Sequence, residues 1–149
     1  EFYQWQIFKD KSLLFTRNDQ DLRFTFSEAG LYNVKLTTSN VNCRYVDSVA
    51  IKIVESKLEV PRVFTPNGDG MNDEFRVAYK SIVEFKCWVF NRWQQKVFYW
   101  TDPQKGWDGK INGKPASTGA YYYVIEAVGA DGEKHNRKGN INLLRGKAD

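Results

Sequence analysis

The stretch Asn67-Gly68-Asp69-Gly70-Met71-Asn72-Asp73 packs side-chain oxygens into one short, glycine-rich turn. Calcium takes several such oxygens, from Asp, Asn and backbone carbonyls, so Asn67, Asp69 and Asp73 are the candidate metal ligands. The EF-hand spacing is not met. With Asn67 as the first position, Met71 and Asn72 fall where an acidic or amide side chain and the invariant glycine belong. Starting from Thr65 aligns Gly70 with the sharp turn but puts Arg76 in place of the bidentate acid. The other reading is a turn whose Asn and Asp side chains bond the local backbone. Both stay open, and calcium is the one cofactor these residues suggest.

The remaining chemistry-bearing residues do not assemble a catalyst. Asp102 and Asp108 would need a defined separation across a cleft to act as paired carboxylates, whereas Asp108-Gly109 is an ordinary turn dipeptide with Trp107 packed over the sandwich edge. His135 is the single histidine. It rules out two-histidine metal motifs, and its place among Lys134, Asn136 and Arg137 predicts solvent exposure. No nucleophile elbow or phosphate-binding loop is present. The chain therefore does not read as an enzyme. Trp88, Trp93, Trp100 and Tyr122 can be read as a sugar-stacking platform or as inward packing. In the last strand Lys134, Arg137, Lys138, Arg145 and Lys147 surround the apolar Ile141, Leu143 and Leu144. A terminal strand near a sheet edge either offers its backbone to a partner or uses lysines against aggregation.

Period-2 alternation is what positions all of these residues. Leu22, Phe24 and Phe26 alternate with polar residues, as do Tyr32, Val34 and Leu36, and then Val49, Ile51 and Ile53; each run predicts a half-buried antiparallel strand. Gly30-Leu31-Tyr32 has the form of a tyrosine corner, and Gly119-Ala120-Tyr121 repeats it. Further strands are predicted over 75–79, 83–90, 96–100, 121–128 and 133–144, with Gly129-Ala130-Asp131-Gly132 as a hairpin connection. The fold class is all-β: two tandem immunoglobulin-like antiparallel sandwiches, at 1–57 and 58–149. The first is short of the ~7 strands such a sandwich takes, and it is expected to extend upstream.

Composition agrees with this reading. Five Trp, eight Tyr and ten Phe make up 15% of 149 residues, enough aromatic volume for small sandwich cores. The net charge of +4 is mild and does not argue for nucleic acid. No apolar run approaches the ~20 residues of a membrane-spanning helix. The opening Glu1-Phe2-Tyr3-Gln4-Trp5 lacks the basic and apolar regions of a signal peptide, and reads as a processed or trimmed piece.

Taken together, Phe64-Thr65-Pro66-Asn67-Gly68-Asp69-Gly70, Val89-Phe90-Asn91-Arg92-Trp93, Trp107-Asp108-Gly109, Gly119-Ala120-Tyr121-Tyr122-Tyr123 and Lys138-Gly139-Asn140-Ile141-Asn142-Leu143-Leu144-Arg145 resemble the gliding-motility-associated C-terminal domain. This is the type B sorting domain of the type IX secretion system of Bacteroidota. The resemblance covers 58–149. It departs at Gln94, where the family has Gly, which predicts a looser hairpin, and in the extra Gly146-Lys147-Ala148-Asp149. Trp5, Phe24-Thr25-Phe26, Gly30-Leu31-Tyr32-Asn33-Val34 and Asn42-Cys43 resemble a PKD domain. Under that resemblance Cys43 pairs with an upstream cysteine; the alternative is a free, partly buried thiol.

The resemblance implies a non-enzymatic tail of a secreted or surface protein, such as a gliding adhesin, without a cofactor. The tail is exported through the periplasm and read by the type IX outer-membrane translocon, with a PorP/SprF-like outer-membrane barrel as surface partner. It has no nucleic-acid partner and meets the membrane only through proteins. The recognition residues it implies are Lys138, Asn140, Asn142 and Arg145, with the turn 67–73 beside them. The alternative reading is a calcium-stabilised adhesion or glycan-binding module.

Overall fold

The computed structural model describes residues 1–145 and is all-β. The chain divides into two compact units, one built on Glu1–Glu55 and one on Ser56–Gly129 with Glu133 onward.

The first unit is a single antiparallel sheet of β1 (Phe2–Lys9), β2 (Ser12–Arg17), β3 (Gly30–Ser39) and β4 (Arg44–Ile53), in the order β2-β1-β3-β4. One sequence expectation changes here. Leu22–Phe26 is not a strand: it forms no ladder, and its aromatic rings instead lie on the sheet. Phe24 meets Phe15 at 5.2 Å and Phe26 meets Tyr32 at 4.7 Å between ring centres. Period-2 spacing brought both rings to one side, which serves packing equally well without backbone pairing. The strand that does pair there is β2, joined to β1 by the two-residue turn Asp10-Lys11. Both turn residues have positive φ, at 48° and 72°, a conformation usually marked by Asn-Gly; without glycine the hairpin carried no sequence signal. The tyrosine corner is present, with Tyr32 Oη donating to the Glu28 carbonyl at 3.1 Å. Cys43 is exposed in the β3–β4 turn and Cys87 is buried in the second unit, both as free thiols.

The second unit is built on a five-stranded sheet. Its strands are β6 (Val63–Phe64), β8 (Ile82–Phe90), β9 (Lys96–Trp100), β12 (Gly119–Gly129) and β13 (Lys134–Leu143), in the order β6-β13-β12-β8-β9. The pairing is antiparallel except where β6 runs parallel to β13. A second layer comprises β5 (Lys57–Glu59) paired with β7 (Ala78–Lys80), a bridge between Phe75 and Trp107, and the small hairpin β10 (Lys110–Ile111) and β11 (Lys114–Pro115). One core unites the layers. The large sheet contributes Phe64, Phe85, Cys87, Val89, Trp100, Tyr121, Ile125, Ala127, Ile141 and Leu143, and Leu58, Phe75, Val77, Trp107 and Ala116 pack against them.

Trp107 is not an edge residue. It is fully buried and forms the centre of an aromatic cluster with Phe64 at 5.5 Å and Tyr121 at 5.0 Å. Its backbone exchanges both hydrogen bonds with Phe75, and its indole N–H donates to the Lys110 carbonyl at 2.9 Å. The next turn must then pass close to the core, and Gly109 does so at φ 77°. A Cβ there would lie 3.0 Å from Pro66 Cγ and 3.2 Å from Leu143 Cδ1.

Gly113 has a similar φ of 79° but nothing within 4 Å, so the pair separates strain from crowding. Gly113→Ala is expected to cost about 1–2 kcal/mol, the left-handed penalty alone. Gly109→Ala adds overpacking of about 1–3 kcal/mol, and should lower the urea midpoint clearly further. Equal midpoints for the two variants would contradict the crowding.

Candidate functional site

The turn after β6 shows what its oxygens do. Asp73 Oδ1 accepts the backbone N–H of Asn67 at 3.1 Å and of Gly68 at 2.9 Å, while its Oδ2 accepts Gly70 N–H at 2.8 Å. Asn67 Oδ1 accepts from Asp69 N–H, and Asp69 Oδ1 from Met71 N–H. Each candidate calcium ligand thus turns at least one side-chain oxygen to the loop's own amides, and Asp73 both of its own, in an Asx-type turn closed on one carboxylate. Among the described residues no cluster of three or more His, Cys, Asp or Glu side chains is arranged to hold a metal. Partial burial works against the charge on Asp73, but the amides of Gly70, Gly68, Asn67 and Asp69 outweigh it and hold the carboxyl below the ordinary value.

The last strand places its residues by the same alternation. His135, Gly139, Ile141 and Leu143 share the inward phase, whereas Lys138, Asn140 and Asn142 are exposed on the outer face. The predicted exposure of His135 is therefore corrected. It is 4% exposed, and its Nε2 lies 2.7 Å from Ser56 Oγ. Its polar neighbours hid a phase that counting back from Ile141 would have revealed. Nor is β13 an edge strand throughout: β12 pairs one side along its length, and β6 covers the other side at Asn142 and Leu143.

Lys138, Asn140 and Asn142 stand opposite Val124, Tyr122 and Ala120 of β12. Arg145 lies beyond the strand's end and turns back over the loops. Its guanidinium donates to the Ala116 carbonyl at 2.8 Å and reaches the Pro66 carbonyl at 3.5 Å. At this same end Ala116 N–H bonds Gly109 O, Leu144 N–H bonds Phe64 O, and Tyr121 Oη donates to Ser117 O at 2.7 Å as the second tyrosine corner. Burial pushes the Tyr121 phenol up, with Arg145 and Arg92 pulling back against it.

The aromatic residues divide. Trp100 is buried in the core, so it belongs to no surface platform. Trp88 and Tyr99 meet at 5.3 Å in register across the outer face, Tyr122 is 45% exposed, and Trp93 stands out at the β8–β9 turn, 68% exposed. That turn is not loose despite Gln94. Asn91 Oδ1 accepts the amides of Trp93 and Gln95, Asn91 O accepts Gln94 N–H, and Gln94 takes the left-handed conformation at φ 63° itself.

A β-sandwich unit whose turns are fixed by its own side chains belongs to the class of all-β modules. The chain is a member of the CHU_C type IX secretion signal domain family, which matches residues 58–143. The family is a sorting domain, not a catalytic one, and it marks a protein for export to the cell surface or beyond through the type IX machinery. No curated protein matches the chain.

The carboxylate-closed turn has a pH signature. Because the Asp73 pKa is lowered on folding, its contribution is present above the unfolded-state value of about 3.9 and is lost as pH falls through the lower folded value. Thermal melts of the wild type and Asp73→Asn should therefore differ at pH 7 and converge as pH falls below about 4. Calcium or a chelator should leave both melts unmoved; a calcium-dependent rise in the wild type alone would support the metal reading.

Proposed function

We propose that residues 58–149 act as a folded export signal read by the outer-membrane translocon of the type IX system after passage through the periplasm. The surface read includes Lys138, Asn140 and Asn142, with Arg145 and the turn 67–73 at the adjoining end. A PorP/SprF-like outer-membrane barrel then holds the exported protein at the surface. Residues 1–57 are a PKD-like spacer module, and the whole is the tail of a secreted or surface protein such as a gliding adhesin. One observation carries the reading of the surface. Ile141 and Leu143 of the last strand are spent on the core, while Lys138, Asn140 and Asn142 alternate with them and face solvent. These three side chains are free for a partner at no cost to folding.

Deleting the last strand would remove core residues and unfold the domain, so surface substitutions are the informative variants. A fluorescent reporter carrying the 149-residue chain at its C-terminus is to be expressed in a type IX-competent bacterium, with a translocon-deficient strain as control. The wild-type chain should carry the reporter to the surface or medium only in the competent strain. Lys138→Glu/Asn140→Glu/Asn142→Glu should cut that export about tenfold, with an unchanged melting temperature in the purified protein. Export unaffected by the triple substitution would remove this face from the recognition surface.

A further inference from the structure

A shallow groove of about 530 Å³ lies between the β8–β9 turn and the loop that follows β11. Arg92 and Trp93 form one wall, Lys114 and Thr118 the other, and the start of β12 is the floor. Arg92 and Tyr122 also line a neighbouring depression beside Phe90 and Gln94, so the two form one continuous surface. Among the described residues no Asp or Glu lines either depression.

The floor offers backbone. Pairing of β8 with β12 stops at Phe90 opposite Tyr122, so Gly119–Tyr121 run past the end of their neighbour. Asn142 turns its amide away from β12, to the Arg62 carbonyl, and Asn142 stands opposite Ala120. By the alternation of an antiparallel ladder, Ala120 then turns its own N–H and C=O to the β8 side. Among the described residues neither group makes a hydrogen bond there. The next rung of the β8 side is vacant and opens into the groove.

The walls are fixed and positive. Asn91 pins the turn that displays Arg92 and Trp93. The Arg92 guanidinium lies 4.6 Å from the Trp93 ring centre, a stacking that leaves the edge of its N–H fork open to a carboxylate. Neither Arg92 nor Lys114 has an acidic partner among the described residues. Trp93 and Tyr122 add exposed aromatic surface on either side.

We propose that this groove binds an extended, acidic segment of a partner protein. The segment continues the line of β8 by pairing with Ala120, sets carboxylates on Arg92 and Lys114, and packs an apolar side chain between Trp93 and Tyr122. An acidic glycan fits less well. It has no amide ladder to match Ala120, and Arg92 already covers one face of the indole. The inference rests on the export reading only in placing that partner in the export apparatus.

The test uses the 149-residue protein and a Thr–Glu alternating decapeptide as probe, with a Thr–Lys decapeptide and polygalacturonate as comparisons. Binding is read by titration and by amide and indole NMR shifts. The Thr–Glu peptide should shift the Trp93 indole signal and slow exchange of the Ala120 amide. Arg92→Glu should weaken binding about tenfold or more, the loss expected for a charge-assisted bond. Lys80→Glu, the same charge change outside the groove, should weaken it by less than about twofold, as screening predicts for a remote charge. Ala120→Pro, which removes the unpaired amide without breaking a hydrogen bond of the sheet, should also weaken it while the spectrum stays folded.

Binding indifferent to Arg92→Glu, an Ala120 amide left unprotected, or tighter binding of either comparison probe would overturn the proposal. The export assay separates the two readings. A wild-type chain that exports the reporter alongside an Arg92→Glu/Trp93→Ala chain that does so equally well would sink the partner assignment and leave the export reading standing. A wild-type chain that fails to export would sink the export reading, leaving the groove to be judged on peptide binding.

Discussion

The loop-rich end of the second unit depends on the burial of one indole. Trp107 is wholly removed from solvent, and burying an aromatic side chain of 150–250 Å² is worth about 4–6 kcal/mol by area. That gain requires two close backbone approaches that leave no room for a side chain. Gly106 must pass so close to Phe75 that a Cβ would lie 2.5 Å from its carbonyl oxygen, and Gly109 must adopt a positive φ against Pro66 and Leu143. Residue 107 itself exchanges backbone bonds with Phe75 in place of a regular strand. The Thr65–Asp73 turn, the Gly106–Gly109 turn, the loop at Ala116 and the chain end at Arg145 are thus held together around one side chain.

This arrangement separates scaffold from surface within the motifs of the domain. Phe64, Trp107, Gly109, Tyr121, Ile141 and Leu143 form the core or close against it, and Asp73 and Asn91 spend their oxygens on their own turns. What they hold outward is another set: Arg92, Trp93, Tyr122, Lys138, Asn140 and Asn142. A sorting domain has to survive as a folded body while presenting side chains to a partner. The alternation of strands achieves this by giving successive residues opposite duties. Arg145 belongs to both sets, since it is exposed yet clamps the Ala116 carbonyl.

The sequence made much of this legible, and its failures have physical causes. The β9 strand, the long β12–β13 hairpin and both tyrosine corners followed from period-2 patterning and turn residues, because those signals are local. The Asp10-Lys11 turn escaped because non-glycine residues occupy its left-handed positions, so the tertiary sheet decided against local preference. Phe24 and Phe26 carried a strand's pattern into a segment that packs without pairing. Trp107 looked like an edge residue because its neighbours are turn formers; only the long-range approach of Phe64, Phe75 and Tyr121 buries it. The open rung at Ala120 depends on where β8 happens to stop, which no residue in β12 encodes.

Native-state amide exchange of a Trp107→Phe variant tests most directly whether Trp107 couples these loops into one cooperative body. Thr65, Phe75 and Ala116 each donate an amide within this end, to Asn72, Trp107 and Gly109. If the indole holds the loops together, all three amides should lose protection by a common factor of about ten or more, as expected for a shared opening event. Loss of protection at Phe75 alone, with Thr65 and Ala116 unchanged, would contradict the account and show that each loop is held by its own hydrogen bonds.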